Sequence, residues 1–202
     1  MITLVRWCFG LDYVINGVNW FYKIITPYPS LSDFAHFKPP ADVVGAMIEN
    51  GVLFTAAKAI EVVAGAALLA NRFVPLALVV AMTVSMPVFM VDVLHPQPRL
   101  RASIMGSGAL LMNTYLLCAY FAHYRALLTS HATPALNPVT AADPARPAGV
   151  DRLAAMLRPL LRPMGVASAL LGIVVVTWLV VMIAQYAANP QPISALRPLV
   201  PR

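Results

Sequence analysis

Residues 164–187 contain no Asp, Glu, Lys or Arg. At about 1.5 Å per helical residue, a stretch of that length outspans the roughly 30 Å hydrocarbon core of a bilayer. Two further stretches, 73–94 and 102–121, carry one charged residue between them, Asp92. A water-soluble chain has no use for three such segments. The composition agrees: 60% of the 202 residues are hydrophobic and 11% charged, against roughly 45–50% and about 25% in ordinary globular domains. Mean hydropathy is +0.75. Lipid is the solvent that this sequence expects.

The apolar stretches and their breakers give an all-α, polytopic membrane protein. Four transmembrane helices are expected at about 4–25, 51–69, 73–94 and 102–121, with a fifth transmembrane helix at 164–187. The first stops at Thr26-Pro27-Tyr28-Pro29, where two prolines withhold backbone donors. A polar loop and a short interfacial helix at 41–49 lead to the second. Asn71-Arg72 is a tight connection, and Pro75 sits where a first-turn proline is tolerated. His95-Pro96-Gln97-Pro98 is a rigid turn before the fourth. Residues 1–128 thus form a four-helix membrane domain and 129–149 an Ala/Pro/Thr-rich flexible linker. Residues 150–163 are a basic amphipathic juxtamembrane segment suited to a membrane surface, and 188–202 a Pro-rich tail. The first residues lack the basic region and cleavage site of a secretory signal, so the first helix is expected to stay in the mature protein.

Fourteen Lys and Arg stand against eight Asp and Glu, scattered between apolar stretches. There is no basic stripe with interleaved aromatics, which excludes a nucleic-acid partner. Charge here reports topology and contact with membrane lipids. With the N-terminus cytoplasmic, Arg6, Arg72, Arg125, Arg146, Arg152, Arg158 and Arg162 fall inside, and Lys23, Lys38, Arg99, Arg101, Arg197 and Arg202 outside. The Arg-rich approach to the fifth helix lies closest to the bilayer and weighs most. The expected arrangement is a multi-pass protein of the bacterial inner membrane, N-terminus cytoplasmic and C-terminus periplasmic.

Polar residues interrupt the first helix on one face. Asp12, Asn16, Asn19 and Lys23 recur at spacings of four, three and four, which aligns them along a helix. A charge at mid-membrane costs roughly 2.5–3.5 kcal/mol on insertion scales, so that face looks inward. Lys58 and Glu61, three residues apart on the second helix, and Glu49 near its outer end are the expected partners. Counted from the inner boundary, Asp12 and Glu61 share a depth, as do Lys23 and Glu49. An antiparallel pair of helices would then carry a buried polar network of Asp12, Asn16, Asn19, Lys23, Glu49, Lys58 and Glu61, with Lys58 between two acids. Such a network either fixes helix register or handles protons and quinones.

Met82, Met86 and Met90 form a stripe with Asp92 on the opposite face. A methionine stripe is a soft-metal surface or packing, and packing is the reading taken because no His or Cys joins it. His36, His95, His123 and His131 lie at helix ends or in loops, and Asp92 with His95 would make a polar cap. Cys8 and Cys118 are far apart in apolar surroundings and read as buried thiols. No catalytic fingerprint such as GxSxG, a P-loop or HExxH is present. No catalytic residue, metal site or resident cofactor is expected.

Several stretches in order carry a resemblance: Arg6, Gly10-Leu11, Asn16-Gly17, His36-Phe37 with Pro39, Asn50-Gly51, Lys58-Ala59-Ile60-Glu61-Val62-Val63-Ala64-Gly65, Leu68-Leu69, and Asn71-Arg72-Phe73-Val74-Pro75-Leu76-Ala77. Over about residues 4–128 the chain resembles the DoxX-like family of small bacterial membrane proteins. The resemblance implies a four-helix transmembrane bundle, to which this chain adds its linker and fifth helix. It also implies an accessory role beside membrane-linked oxidoreductases, including thiosulfate:quinone and thiol-redox systems. The paired cysteines of a thiol-redox relative are missing here.

The expected function is therefore an accessory, non-catalytic subunit packed against a larger membrane complex of respiratory or photosynthetic electron transfer. Arg152, Arg158 and Arg162 would contact the partner or lipid. The first alternative is a quinone-linked membrane oxidoreductase component whose pocket is lined by Asp12, Asn16, Asn19, Lys58 and Glu61. The second is a small-solute or proton carrier.

Overall fold

A computed structural model of the chain describes residues 1–22, 47, 50–94, 100–128 and 148–188. All the described regular structure is helical: α1 (Ile2–Tyr22), α2 (Leu53–Leu69), α3 (Val74–Val93), α4 (Leu100–Ala119), a 3₁₀ segment (Phe121–Leu128) and α5 (Ala148–Ala188). Three of these helices are long and apolar enough to cross a membrane: Val74–Val93, Ala102–Ala119 and Arg152–Ala188. α2 is shorter, at 17 residues, and α1 and α2 carry the interior charges Arg6, Asp12, Lys58 and Glu61. The interfacial helix expected at 41–49, the polar loop before it, the linker at 129–147 and the tail lie outside the described residues.

α1 packs along α2, α2 along α3, and α3 along α4, with α4 returning to α1. α5 lies against α1 and α4. The core of this ring holds Val5, Phe9 and Tyr13 of α1, Leu68 of α2, Leu78 and Ala81 of α3, and Met112, Tyr115 and Leu116 of α4.

The α2–α3 corner shows how local sequence sets this topology. Asn71 N–H donates to Leu68 O at 3.2 Å and Arg72 N–H to Ala67 O at 2.9 Å, while Asn71 sits at φ +53°. This is the paired-bond helix stop in which a left-handed residue reverses the chain, and asparagine tolerates that conformation better than most. Arg6 reaches from α1 to donate to Asn71 Oδ1, pinning the start of the first helix to the corner. Tyr124 O–H donates to Pro75 O at 2.8 Å and ties the 3₁₀ segment to the same end of the bundle. Burial pushes the Tyr124 phenol up to about 12, so it remains a donor at neutral pH.

Glycines set how closely the helices approach. A Cβ on Gly65 would lie 2.8 Å from Gly10 O, and one on Gly17 would lie 2.8 Å from Lys58 O and 3.0 Å from Val62 N. These are backbone atoms that a flexible side chain cannot vacate, so α1 and α2 touch at two levels with no room between them. On α5, a Cβ at Gly165 would meet Met1 and one at Gly172 would meet Cys8. Both pairs have the same offset in sequence, so α5 runs parallel to α1.

The basic segment expected at 150–163 and the fifth helix expected at 164–187 form one continuous 41-residue helix with Pro159 and Pro163 inside it. Its apolar part is built into the bundle, with Val175 and Leu179 buried beside Ile15, Ile104 and Met105. Leu161 and Met164 pack on the core beside Tyr120, and the helix also touches the 3₁₀ segment.

Candidate functional site

The polar face of α1 meets the polar face of α2 between the two glycine contacts. Lys58 Nζ donates to both carboxylate oxygens of Glu61, at 2.7 and 2.8 Å, and both side chains are buried. Three residues of spacing on one helix face permit this forked pair. The Lys58 ammonium also lies 5.3 Å from the centre of the Phe54 ring. That ring meets Trp20 edge-on at 4.7 Å, and Trp20 Nε1 donates to Thr55 Oγ1 at 3.3 Å. The aromatic pair shields the cation from the 50s end of the bundle.

Asp12 is 3% exposed. Asn16 Nδ2 donates to its carboxylate at 2.7 Å and to its backbone carbonyl at 2.9 Å, a bond one turn along the same face. Asp12 lies in the fields of both Glu61 and Lys58, so the three charged groups form one electrostatic cluster. Asn19 is fully buried on the same face. Lys23 and Glu49 lie outside the described residues, and with them the outer rung of the expected ladder.

Two features were not anticipated. Asp92, expected as a surface cap with His95, lies in the field of Lys58 and packs against Gly106 of α4. His95 is outside the described residues. The second is a neutral network deeper in the ring. Tyr13 O–H lies 3.0 Å from Ala81 O and 2.6 Å from Ser85 Oγ, and Ser85 Oγ lies 3.1 Å from Ala81 O. The Asn113 amide of α4 reaches the same serine at 3.0 Å. With its amide turned to satisfy both ends, Asn113 donates to Leu78 O at 3.2 Å and accepts from Met82 N–H at 3.0 Å. A side-chain amide thereby spans one helical turn of α3, pairing with the carbonyl at its start and the N–H at its end. Tyr13 feels the charges of Glu61 and Asp12, so the neutral network and the charged cluster adjoin.

Chemically, the cluster is the buried Asp12, Lys58 and Glu61 of α1 and α2, with the half-buried Asp92 of α3 in the field of the ammonium. It is equipped to hold helix register and to exchange protons. The methionine stripe turns outward at Met86 and Met90, 42% and 49% exposed. Among the described residues no three His, Cys, Asp or Glu side chains converge to hold a metal ion. Cys8 and Cys118 are free thiols, Cys8 seated against Gly172. Arg152, Arg158 and Arg162 are exposed on the first turns of α5, away from the cluster. Comparison of the chain with protein-family models, with curated proteins and with solved structures finds no match in any of the three.

Proposed function

We propose that the protein is an accessory, multi-pass membrane subunit without catalytic chemistry of its own, and that α1 and α2 cross the bilayer alongside the three apolar helices. The carrying observation is the closed seam between α1 and α2. Gly10 and Gly17 bring backbone onto backbone at both ends of the charged cluster, where Lys58 pairs with Glu61 and Asp12 accepts from Asn16. A bundle so filled along its polar seam suits a scaffold more than a solute path. The residue resemblance of 4–128 to DoxX-like proteins supports a place beside a membrane electron-transfer complex of the bacterial inner membrane. Arg6 and Arg72 lie at the same end as the arginines of α5, which supports a cytoplasmic N-terminus.

Native electrophoresis of membranes solubilised in mild detergent tests this reading. The chain is expected to migrate in a larger assembly, and the purified chain alone is expected to neither reduce a quinone nor carry a solute. Migration as a single small species, or quinone turnover by the isolated chain, overturns it.

One observation favours a second reading. Three acids share a single Lys58, and intramembrane ionisable groups often mark proton or quinone chemistry. A quinone-linked component with this cluster at its heart would lose electron transfer, but not assembly, on neutralisation of Asp12 and Glu61.

A further inference from the structure

Of the buried charges Arg6, Asp12, Lys58 and Glu61, the last three answer one another. Arg6 is the exception. It is 9% exposed, its Nη1 donates to the neutral Asn71 Oδ1, and its Nε is buried without a hydrogen-bond partner. No ion pair joins it among the described residues. Buried polar groups in folded proteins are nearly always satisfied, and a buried cation without a counter-charge is costly.

The surroundings add positive charge and no negative charge. Asn71, which holds the guanidinium, lies just before α3 begins at Val74, and the first N–H groups of a helix find no partner within it. Phe73 caps that end without a side-chain bond, so the positive end of the α3 dipole stands open at the corner that Arg6 reaches. Arg72, between Asn71 and Phe73, is exposed. The last turn of α2 is already engaged: Ala66, Ala67 and Leu68 accept from the N–H groups of Ala70, Arg72 and Asn71. Residues 1–11, 62–91, 100–128 and 152–188 contain no Asp or Glu. Of the nearest acids, Asp12 is held by Asn16 and Glu61 by Lys58.

We propose that Arg6, Arg72 and the open N-terminus of α3 form a binding site for a phosphate-class oxyanion, supplied as free phosphate or as the phosphodiester of a lipid headgroup. Phosphate oxygens fork onto a guanidinium and accept from helix N–H groups at the same time, and their charge answers the buried cation. A phosphate forks onto the guanidinium edge that carries Nε, and Asn71, bonded to Nη1, leaves that edge unoccupied. The neutral amide thus orients the arginine without cancelling its charge. This site goes beyond the accessory-subunit reading and stands whether or not the chain serves a larger complex.

The test is thermal melting of the delipidated full-length chain in a non-ionic detergent, since a ligand that binds only the folded state raises its melting temperature. Inorganic phosphate is titrated against chloride at equal ionic strength, and phosphatidylglycerol against diacylglycerol of the same chains. The expected result is a saturable rise with phosphate, phosphatidylglycerol or both, and none with chloride or diacylglycerol. A rise with the lipid alone assigns the headgroup as the source, and a rise with inorganic phosphate shows that the free ion suffices. Arg6→Lys keeps the charge but not the fork and should weaken the apparent affinity at least tenfold. Arg72→Gln, a change at an exposed side chain, should weaken it at least threefold, and Arg158→Gln on α5 should leave it unchanged. No rise with either ligand, an equal rise with diacylglycerol, or an affinity unchanged in Arg72→Gln overturns the proposal. If Arg6→Lys fails to fold, the Arg72→Gln arm decides alone.

Discussion

The pair α1–α2 and the trio α3–α4–α5 achieve the same end, a helix buried among helices, by opposite means. The trio is apolar enough to cross a membrane helix by helix, and its fully buried polar residues among those described, Ser85, Asn113 and Ser168, are neutral, with the half-buried Asp92 its charged exception. The pair holds Arg6, Asp12, Lys58 and Glu61, all buried, and compensates through mutual charge and through glycine contacts. In lipid no hydrophobic gain drives one helix onto another, so close packing and polar pairing must do it. The lesson is that α1 and α2 are stable as a unit, whereas α3, α4 and α5 each satisfy the bilayer alone.

Removing the cation alone tests that contrast most severely. Lys58→Met leaves Glu61 and Asp12 buried without their counter-charge, and breaking one side of such a pair costs about 3–5 kcal/mol in soluble proteins. Combining it with Glu61→Gln and Asp12→Asn should restore most of the loss, read as thermal stability in detergent. A steady decline from single to triple variant would show that the three do not act as one network.

Gly17→Ala comes next. Its methyl would press on the backbone of Lys58 and Val62, and overpacking costs about 1–3 kcal/mol. Gly108→Ala in the trio meets only side-chain atoms of Val175 and Leu171, at 3.2 Å or more, and should cost clearly less. Equal losses in thermal melts of the two variants would erase the distinction between the regions.

The smallest effect is expected from Ser85→Ala, which removes a neutral hydroxyl between Tyr13 and Asn113. Interhelical hydrogen bonds in membranes average about 0.6 kcal/mol in double-mutant cycles. A cycle with Tyr13→Phe measures the coupling directly, and a value as large as that of the ion pair would place the neutral network on a par with the charged one.

What was legible in the sequence follows the same division. The period of 3.6 aligned Asp12, Asn16 and Asn19, and depth counting placed Asp12 beside Glu61, because both inferences need only local helix geometry. The network of Tyr13, Ser85 and Asn113 was not legible since its contacts join positions 72 and 28 apart, and a lone hydroxyl in an apolar run leaves no periodic signal. Asp92 was assigned to a surface cap because His95 is its neighbour in sequence. The packing of α3 against α2 and α4 also puts it in the field of Lys58, while His95 lies outside the described residues. The continuity of α5 was hidden because charge stops at Arg162, so that the basic segment and the apolar run read as two units.

The bond from Arg6 to Asn71 also sets a schedule. Its two ends lie 65 positions apart, and at a synthesis rate of about 5–20 residues per second the arginine waits several seconds before its acceptor exists. Met1 and Cys8 wait longer still, for Gly165 and Gly172. The contacts of α1 are thus completed only once the last helix has been made. During that interval its charge has to be lodged with water, headgroups or the insertion machinery, since a lone charge in hydrocarbon is costly.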